Sequence, residues 1–275
     1  MEEWKMSNCS NCPSKGSCNN KEHCSIENNP QNHIGKIIGI MSGKGGVGKS
    51  TITALTANQL AKQGYSVGIL DADITGPSIP RLMGVKDAKA LSDGESIFPV
   101  VNGNGIKVMS INLMMDDENE PVIWRGPILG GVVKQFYTDV IWGDLDYLLI
   151  DMPPGTGDVA LTVMQNIPIN GTVMVSVPQD LVSMIVSKAV NMAKKMDIPV
   201  YGVVENMSYI ECPDCGKKIK LFEGEGTNGF LEGLGLNLLA ELPMSKEVID
   251  ITHNGVNETS EKIEKIIDGV VSKIK

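Results

Sequence analysis

The chain has 275 residues, 42% of them hydrophobic, and a formal net charge of −9. That length and apolar content support one large buried core, while the negative charge disfavours binding to phosphate backbones or anionic membranes, because no run of Lys and Arg offsets the repulsion. The first twelve residues, MEEWKMSNCSNC, lack a basic start followed by an apolar segment, and no apolar stretch reaches the roughly 18 residues of a membrane span, so a cytoplasmic protein with no membrane or nucleic-acid partner is expected.

Residues 1–33 are polar, rich in Asn, Ser and Cys, and lack apolar periodicity. Such a segment buries too little to order itself and reads as a flexible Cys-rich arm that a metal could nucleate. From residue 34 to 275 the pattern becomes that of a single domain in which short β-branched runs alternate with helical stretches. Strands are expected at 37–42, 66–73, 146–154, 171–178, 200–207 and 236–243. Helices are expected at about 49–63, 127–141, 157–167, 180–195, 245–253 and 259–274. The strands are apolar throughout, as in a mostly parallel sheet with helices on both faces. Weak strands near 97–101 and 106–111 interrupt a Gly-, Asp- and Asn-rich stretch, and an insertion at about 208–224 carries a cysteine pair.

GKGGVGKS at 43–50 sits between the first strand and the first helix. Glycines there let backbone N–H groups converge on phosphate oxygens, and the helix N-terminus adds its dipole. Gly43, Gly45, Gly46, Val47, Gly48, Lys49, Ser50 and Thr51 are therefore candidate nucleotide-binding residues. Lys49 is placed on the β- and γ-phosphates and Ser50 on Mg²⁺.

Lys44, directly after the first glycine, departs from an ordinary phosphate loop. KGGVGKS resembles the deviant Walker A motif of the MinD/ParA ATPases, which implies a SIMIBI-type, MinD-like P-loop NTPase fold. It also implies a homodimer in which Lys44 reaches the partner's nucleotide.

LDADITGPS (70–78) and LLIDMPPGTGD (148–158) place Asp71, Asp73 and Asp151 at strand ends, where an open α/β sheet binds ligands. Asp151 reads as the acid that serves Mg²⁺. By the resemblance, Asp73 positions the attacking water and Asp71 lies near the metal; for Asp71 a helix cap, or a place behind the groups that touch the ligand, is a nearly equal reading. The guanine-reading Asn-Lys-x-Asp element is missing, and Asn206 in VVENMS matches the asparagine that meets adenine in the relatives. ATP is thus the expected nucleotide, with a buried structural Asn as the other reading.

Cys212 and Cys215, in ECPDCGKK, form a C-x-x-C pair that can grip one metal from a tight turn. Two thiolates are half of a four-ligand set, and a two-fold dimer would complete it. The deviant loop, DADITGPS, the WRGP at 124–127, LLIDMPPGTGD, ENMS and CPDCG occur in order over about residues 36–275. Together they resemble the Mrp/Nbp35/ApbC family of ATP-dependent iron–sulfur cluster carriers. The resemblance implies slow ATP hydrolysis, a labile [4Fe–4S] cluster bridging the homodimer, and apo iron–sulfur proteins as recipients.

Cys9, Cys12, Cys18 and Cys24 in the arm are candidate ligands of a second cluster, since the first three match the spacing of Nbp35-type members; incidental thiols are the alternative. A MinD/ParA-like ATP-driven dimerisation switch with a structural zinc at the cysteine pair is the rival to the carrier reading. The C-terminal stripe Ile263, Ile266, Ile267, Val270, Val271, Ile274 is expected to pack on the sheet rather than lie on a membrane.

Overall fold

The computed structural model describes residue 26 and residues 28–117, 124, 126–178, 180–220, 227–256 and 259–275. β1 (His33–Ser42) runs into the glycine loop and α1 (Lys49–Lys62). β2 (Val67–Asp71) and the one-turn α2 (Ile79–Leu82) follow, then a short ribbon of β3 (Leu91–Ser92) and β4 (Ile97–Phe98), and the edge pair β5 (Val100–Val101) and β6 (Lys107–Met109). The remaining elements are α3 (Gly126–Thr138), β7 (Asp144–Asp151), α4 (Asp158–Asn166), β8 (Gly171–Ser176), α5 (Asp180–Lys195), β9 (Val200–Glu211), β10 (Lys218–Ile219), α6 (Thr227–Leu234), β11 (Leu238–Pro243), α7 (Lys246–Asn254) and α8 (Glu261–Ile274).

The main sheet runs β11-β9-β8-β1-β7-β2-β6-β5, and β10 folds back on the far end of β9. Every pairing from β11 to β6 is parallel, and β5 is antiparallel. Burial explains the composition of the strands: β2 is buried at all its residues and β8 at all but Ser176. Covered on both faces, such strands need side chains that are apolar on either side. From β1 the chain moves one way to β2 and later the other way to β8 and β9. The loop after β1 therefore opens at the point where the strand order reverses, which is where doubly wound sheets bind ligands.

α1 packs against α2 and α8, α3 against α4, and α5 against β8, β1 and β9. Its central position buries even the polar residues of α1, and these find partners: Asn58 Nδ2 donates to the Val256 carbonyl, and Gln59 Nε2 to Asp268 Oδ1. Ile263, Ile267, Val270, Val271 and Ile274 of α8 are buried, so the C-terminal stripe packs into the core. Gly269 permits that approach, since a Cβ there would stand 2.6 Å from the Leu239 carbonyl oxygen.

Several boundaries differ from the sequence expectation for physical reasons. β7 stops at Asp151 because Pro153 and Pro154 have no N–H for a ladder. β9 continues through Asn206 to Glu211 rather than ending at 207. Helices α2 and α6 were not expected; one is a single turn and the other contains two glycines. Two described residues before β1 are tied to the body: Ile26 N–H donates to the Asn166 carbonyl and Asn32 Nδ2 to that of Val140.

Candidate functional site

Strand register assembles the acids. Asp151 of β7 lies opposite Ile40 of β1 on one side and opposite Asp71 of β2 on the other, so three strands end at one level beneath the glycine loop. The loop after β7 is fastened to this level by the Gly155 N–H, which donates to the Ser42 carbonyl at 2.8 Å. Above it lies a cleft of about 370 Å³ whose lining includes Gly45, Gly46, Lys49, Ser50, Thr51 and Asp73.

The glycines in the loop serve different ends. Gly46 and Gly48 have φ of 80° and 82°, the left-handed region that turns successive N–H groups toward one point. A Cβ at Gly43 would stand 2.7 Å from Ile185 of α5, which is a packing constraint. At Gly45 and Gly46 a Cβ would meet nothing within 4 Å among the described residues. Gly46 is accounted for by its left-handed backbone, whereas neither backbone nor packing explains Gly45, and room for a phosphate group in the cleft would. Val47 is buried, and Lys44, half-buried, offers its carbonyl to the Ser42 hydroxyl at 3.0 Å.

Lys49 is 6% exposed and its Nζ lies 2.7 Å from Asp151 Oδ2 and 3.7 Å from Asp73 Oδ2. The Ser50 hydroxyl donates to the same Asp151 oxygen at 2.6 Å. The loop lysine and serine thus rest on the acid, and a nucleotide phosphate would take Lys49 from it. Ser50 and Asp151 offer the hard oxygen donors that Mg²⁺ takes, so the residues fit that ion.

Asp71 is fully buried. Burial first, then the nearby Asp151 charge, push its carboxyl up to about 8, against the opposing pull of Lys49 and the Ser110 hydroxyl. Ser110 Oγ donates to Asp71 Oδ2 at 3.0 Å, and the Asp73 N–H donates to Asp71 Oδ1 at 3.2 Å. Asp71 therefore shapes the loop that holds Asp73 and sits beside Asp151, and it caps none of the described helices. Asp73, partly buried, is also raised, by burial above all, with Lys49 opposing.

Asn206 reaches the loop from β9: its Nδ2 donates to the Val47 carbonyl at 2.9 Å, while its buried Oδ1 has no partner among the described residues. A buried acceptor without a donor is costly, and an exocyclic amine of a bound base would supply one. A Cβ on Gly48 would stand 2.2 Å from this Asn206 amide.

Cys212 and Cys215 occupy the turn between β9 and β10. The turn is closed by the Cys212 N–H donating to the Lys217 carbonyl at 3.0 Å and the Gly216 N–H to the Cys212 carbonyl at 2.9 Å, with Gly216 left-handed at φ 69°. Both thiols are free. Backbone N–H groups of Cys215 and then Asp214 aim at Cys212 and lower its thiol below the ordinary value, which favours the thiolate that binds metal. Among the described residues no set of three or more His, Cys, Asp or Glu is placed to hold a metal ion. The pair thus offers two ligands of four. Cys9, Cys12, Cys18 and Cys24 lie outside the described residues, as does Arg125 of WRGP.

Two residues at the centre of the site went unnoticed in the sequence. Thr53, fully buried one turn after Lys49, donates to Asp151 Oδ1 at 2.8 Å, and its oxygen also lies 3.1 Å from the Lys49 carbonyl. Ser110, just after β6, holds Asp71. Neither falls in a phosphate-loop pattern; the available signal was a hydroxyl four residues beyond Lys49, on the same helix face.

Comparisons with known proteins identify the family and the fold. Residues 33–275 match the ParA family model described as NUBPL iron-transfer P-loop NTPase. The chain is 51% identical over 257 residues to a Clostridium perfringens protein named iron-sulfur cluster carrier protein, covering 91% of this chain and 90% of that one. A Methanocaldococcus jannaschii protein of the same name is 41% identical over 279 residues, with 97% and 96% covered. Among solved structures, a nucleotide-binding protein from Archaeoglobus fulgidus in complex with ADP, with Co found by PIXE, superposes at a TM-score of 0.71 with 45% identity, covering 80% of this chain and 86% of that one. MinD in the Aquifex aeolicus MinC:MinD complex shares the fold, at a TM-score of 0.62 and 20% identity over 87% of this chain and 95% of the other. A P-loop, its two strand-end acids and a match over 33–275 together establish that the chain belongs to the NUBPL iron-transfer P-loop NTPase family.

Proposed function

We propose that the protein is an ATP-dependent iron–sulfur cluster carrier acting in the cytoplasm as a homodimer. Cys212 and Cys215 of each protomer bind a labile [4Fe–4S] cluster as cargo across the two-fold axis, for delivery to apo iron–sulfur proteins. The observation that carries this reading is β9, which brings Asn206 to the nucleotide loop and ends, six residues later, in a free C-x-x-C pair with half of a ligand set. A dimer supplies the other half by symmetry. The names of the relatives at 51% and 41% identity support the same reading.

In this scheme ATP reacts with water to give ADP and phosphate, slowly, with turnover coupled to loading or release of the cluster. Lys49 leaves Asp151 for the β- and γ-phosphates, and the glycine-loop N–H groups hold the remaining charge. Asp73, at the mouth of the cleft, orients the attacking water. Lys44 reaches the nucleotide of the partner subunit, so hydrolysis requires the dimer. Mg²⁺, when bound, neutralises phosphate charge, and Ser50 and Asp151 would hold it. Asn206 selects adenine through its unpartnered Oδ1.

The test is anaerobic reconstitution with iron and sulfide of the full chain and of Cys212→Ala/Cys215→Ala. The reading predicts broad absorbance near ~400 nm and a loss in the double variant of about two iron atoms per protomer, which is one four-iron cluster per dimer. A colourless protein that retains zinc at the pair would replace the carrier with a dimerisation switch.

A further inference from the structure

Between Asn206 and Cys212 the β9–β11 ladder is interrupted. Glu205 pairs with Glu241 and the next pair is Tyr209 with Pro243, so three residues of β9, Asn206 to Ser208, face Leu242 of β11. Met207 lies in the left-handed region at φ 54°, a conformation that a long side chain rarely adopts without support. The bulge turns Asn206 inward and Met207 out to solvent.

Ser208 spans this break. Its buried Oγ lies 2.6 Å from Glu205 Oε2 and 3.2 Å from Glu241 Oε1. Glu205 precedes the nucleotide-facing asparagine. Glu241 is bound to the cysteine hairpin, because Lys220, immediately after β10, places Nζ 2.9 Å from the same Oε1. Burial pushes Glu241 up, but the hydrogen bonds and charge of Lys220 outweigh it and hold the carboxyl below its ordinary value. A hydroxyl has one proton to donate, so Ser208 serves one carboxylate at a time, one on the nucleotide side and one on the hairpin side. Further ties keep the hairpin from swinging independently: Lys218 stands 4.2 Å over the Tyr209 ring, and Lys262 of α8 pairs with Glu211. A shift at the bulge would therefore be passed to the cysteines as a change of orientation.

We propose that Ser208 is a positioning residue that couples the nucleotide pocket to the cysteine pair, its hydroxyl exchanging between Glu205 and Glu241 as Asn206 engages or releases the base. The proposal rests on the carrier reading for its purpose, yet its test needs no cluster. Replacing Cys9, Cys12, Cys18 and Cys24 by Ser in the full chain leaves Cys212 and Cys215 as the remaining thiols of the six. Their rate of reaction with a disulfide reagent is measured with and without Mg·ATP, beside a direct titration of ATP affinity.

In the Ser208 protein nucleotide changes the thiol rate by about fivefold or more, the lower end of ordinary allosteric coupling. Ser208→Ala binds ATP as before but loses the response, and Ser208→Thr, which retains a hydroxyl, restores it. Lys220→Met, at a half-exposed side chain, weakens the response and provides the test if Ser208→Ala fails to fold. A purely structural role would lower stability and leave the response in place. The proposal is overturned if nucleotide leaves the thiol rate unchanged in the Ser208 protein, or if Ser208→Ala or Lys220→Met responds in full. Failure of the carrier reading appears separately, as absence of iron from the reconstituted protein whatever the thiols do.

Discussion

Asp71→Asn isolates the electrostatic cost stored beneath the nucleotide loop. Asp71 is fully buried beside Asp151, and burial first, then the Asp151 charge, push its carboxyl up to about 8 from an ordinary 3.8. Between those two values the folded protein retains a proton that the unfolded chain has released. The folded state therefore binds more protons than the unfolded state, and stability falls as pH rises through the window from about 4 to about 8. One pKa unit corresponds to about 1.4 kcal/mol, so ionising Asp71 in the nucleotide-free fold costs up to about 6 kcal/mol, part of it shared with Asp151. Asparagine has the same shape, carries no charge, and can accept from the Asp73 N–H while donating to Ser110 Oγ. Urea unfolding of both proteins without nucleotide or metal at pH 5, 6, 7 and 8 gives the comparison. The Asp71 protein should lose stability by as much as about 1.4 kcal/mol per pH unit inside the window, and Asp71→Asn should show a flatter profile with its largest advantage at pH 8. Equal slopes in the two proteins would refute the assignment of the cost to this carboxyl.

Two further expectations come from the same site. Thr53→Val removes the hydroxyl that holds Asp151 Oδ1 but preserves the shape in a fully buried position; losing a hydrogen bond to a charged acceptor, about 1.5 kcal/mol, should slow ATP turnover about tenfold, and steady-state phosphate release at unchanged rate would show that Thr53 does not orient the acid. Gly45→Ala and Gly48→Ala separate ligand room from packing. The first, with no described residue within 4 Å of its Cβ, should keep its thermal midpoint and weaken ATP binding about tenfold, whereas the second, left-handed and 2.2 Å from Asn206 Nδ2, should lose both. Thermal unfolding beside nucleotide titration distinguishes the two, and a Gly45→Ala protein that binds ATP normally would remove the phosphate assignment at that position.

The parallel sheet and the position of the phosphate loop were legible because both follow from local signals: β-branched runs at strand spacing, glycines, and a helix that starts at Lys49. The acids were legible as strand ends, and the structure shows why they lie together, since the register of β2 against β7 places Asp71 opposite Asp151. What the sequence concealed depends on contacts between distant segments. Ser110 matters because β6 lies beside β2, and no pattern around MSIN announces that. The extension of β9 was hidden because ENMS contains Asn and Ser, poor strand residues, at the point where a bulge makes them useful. Thr53 was visible as one more helix residue, and its partner is 98 positions away.

The cysteine turn adds six residues, 212 to 217, beyond the last paired positions of its hairpin, Glu211 and Lys218. None of the main sheet's parallel pairings, and none of the residues that line the phosphate cleft, comes from that loop. A change in the length of one turn could therefore add or remove the cysteine-bearing tip while leaving the sheet and the cleft intact. The two ends of β9 thus answer to different constraints: its base is held by the register of the sheet, while its tip is set by the length of a single turn.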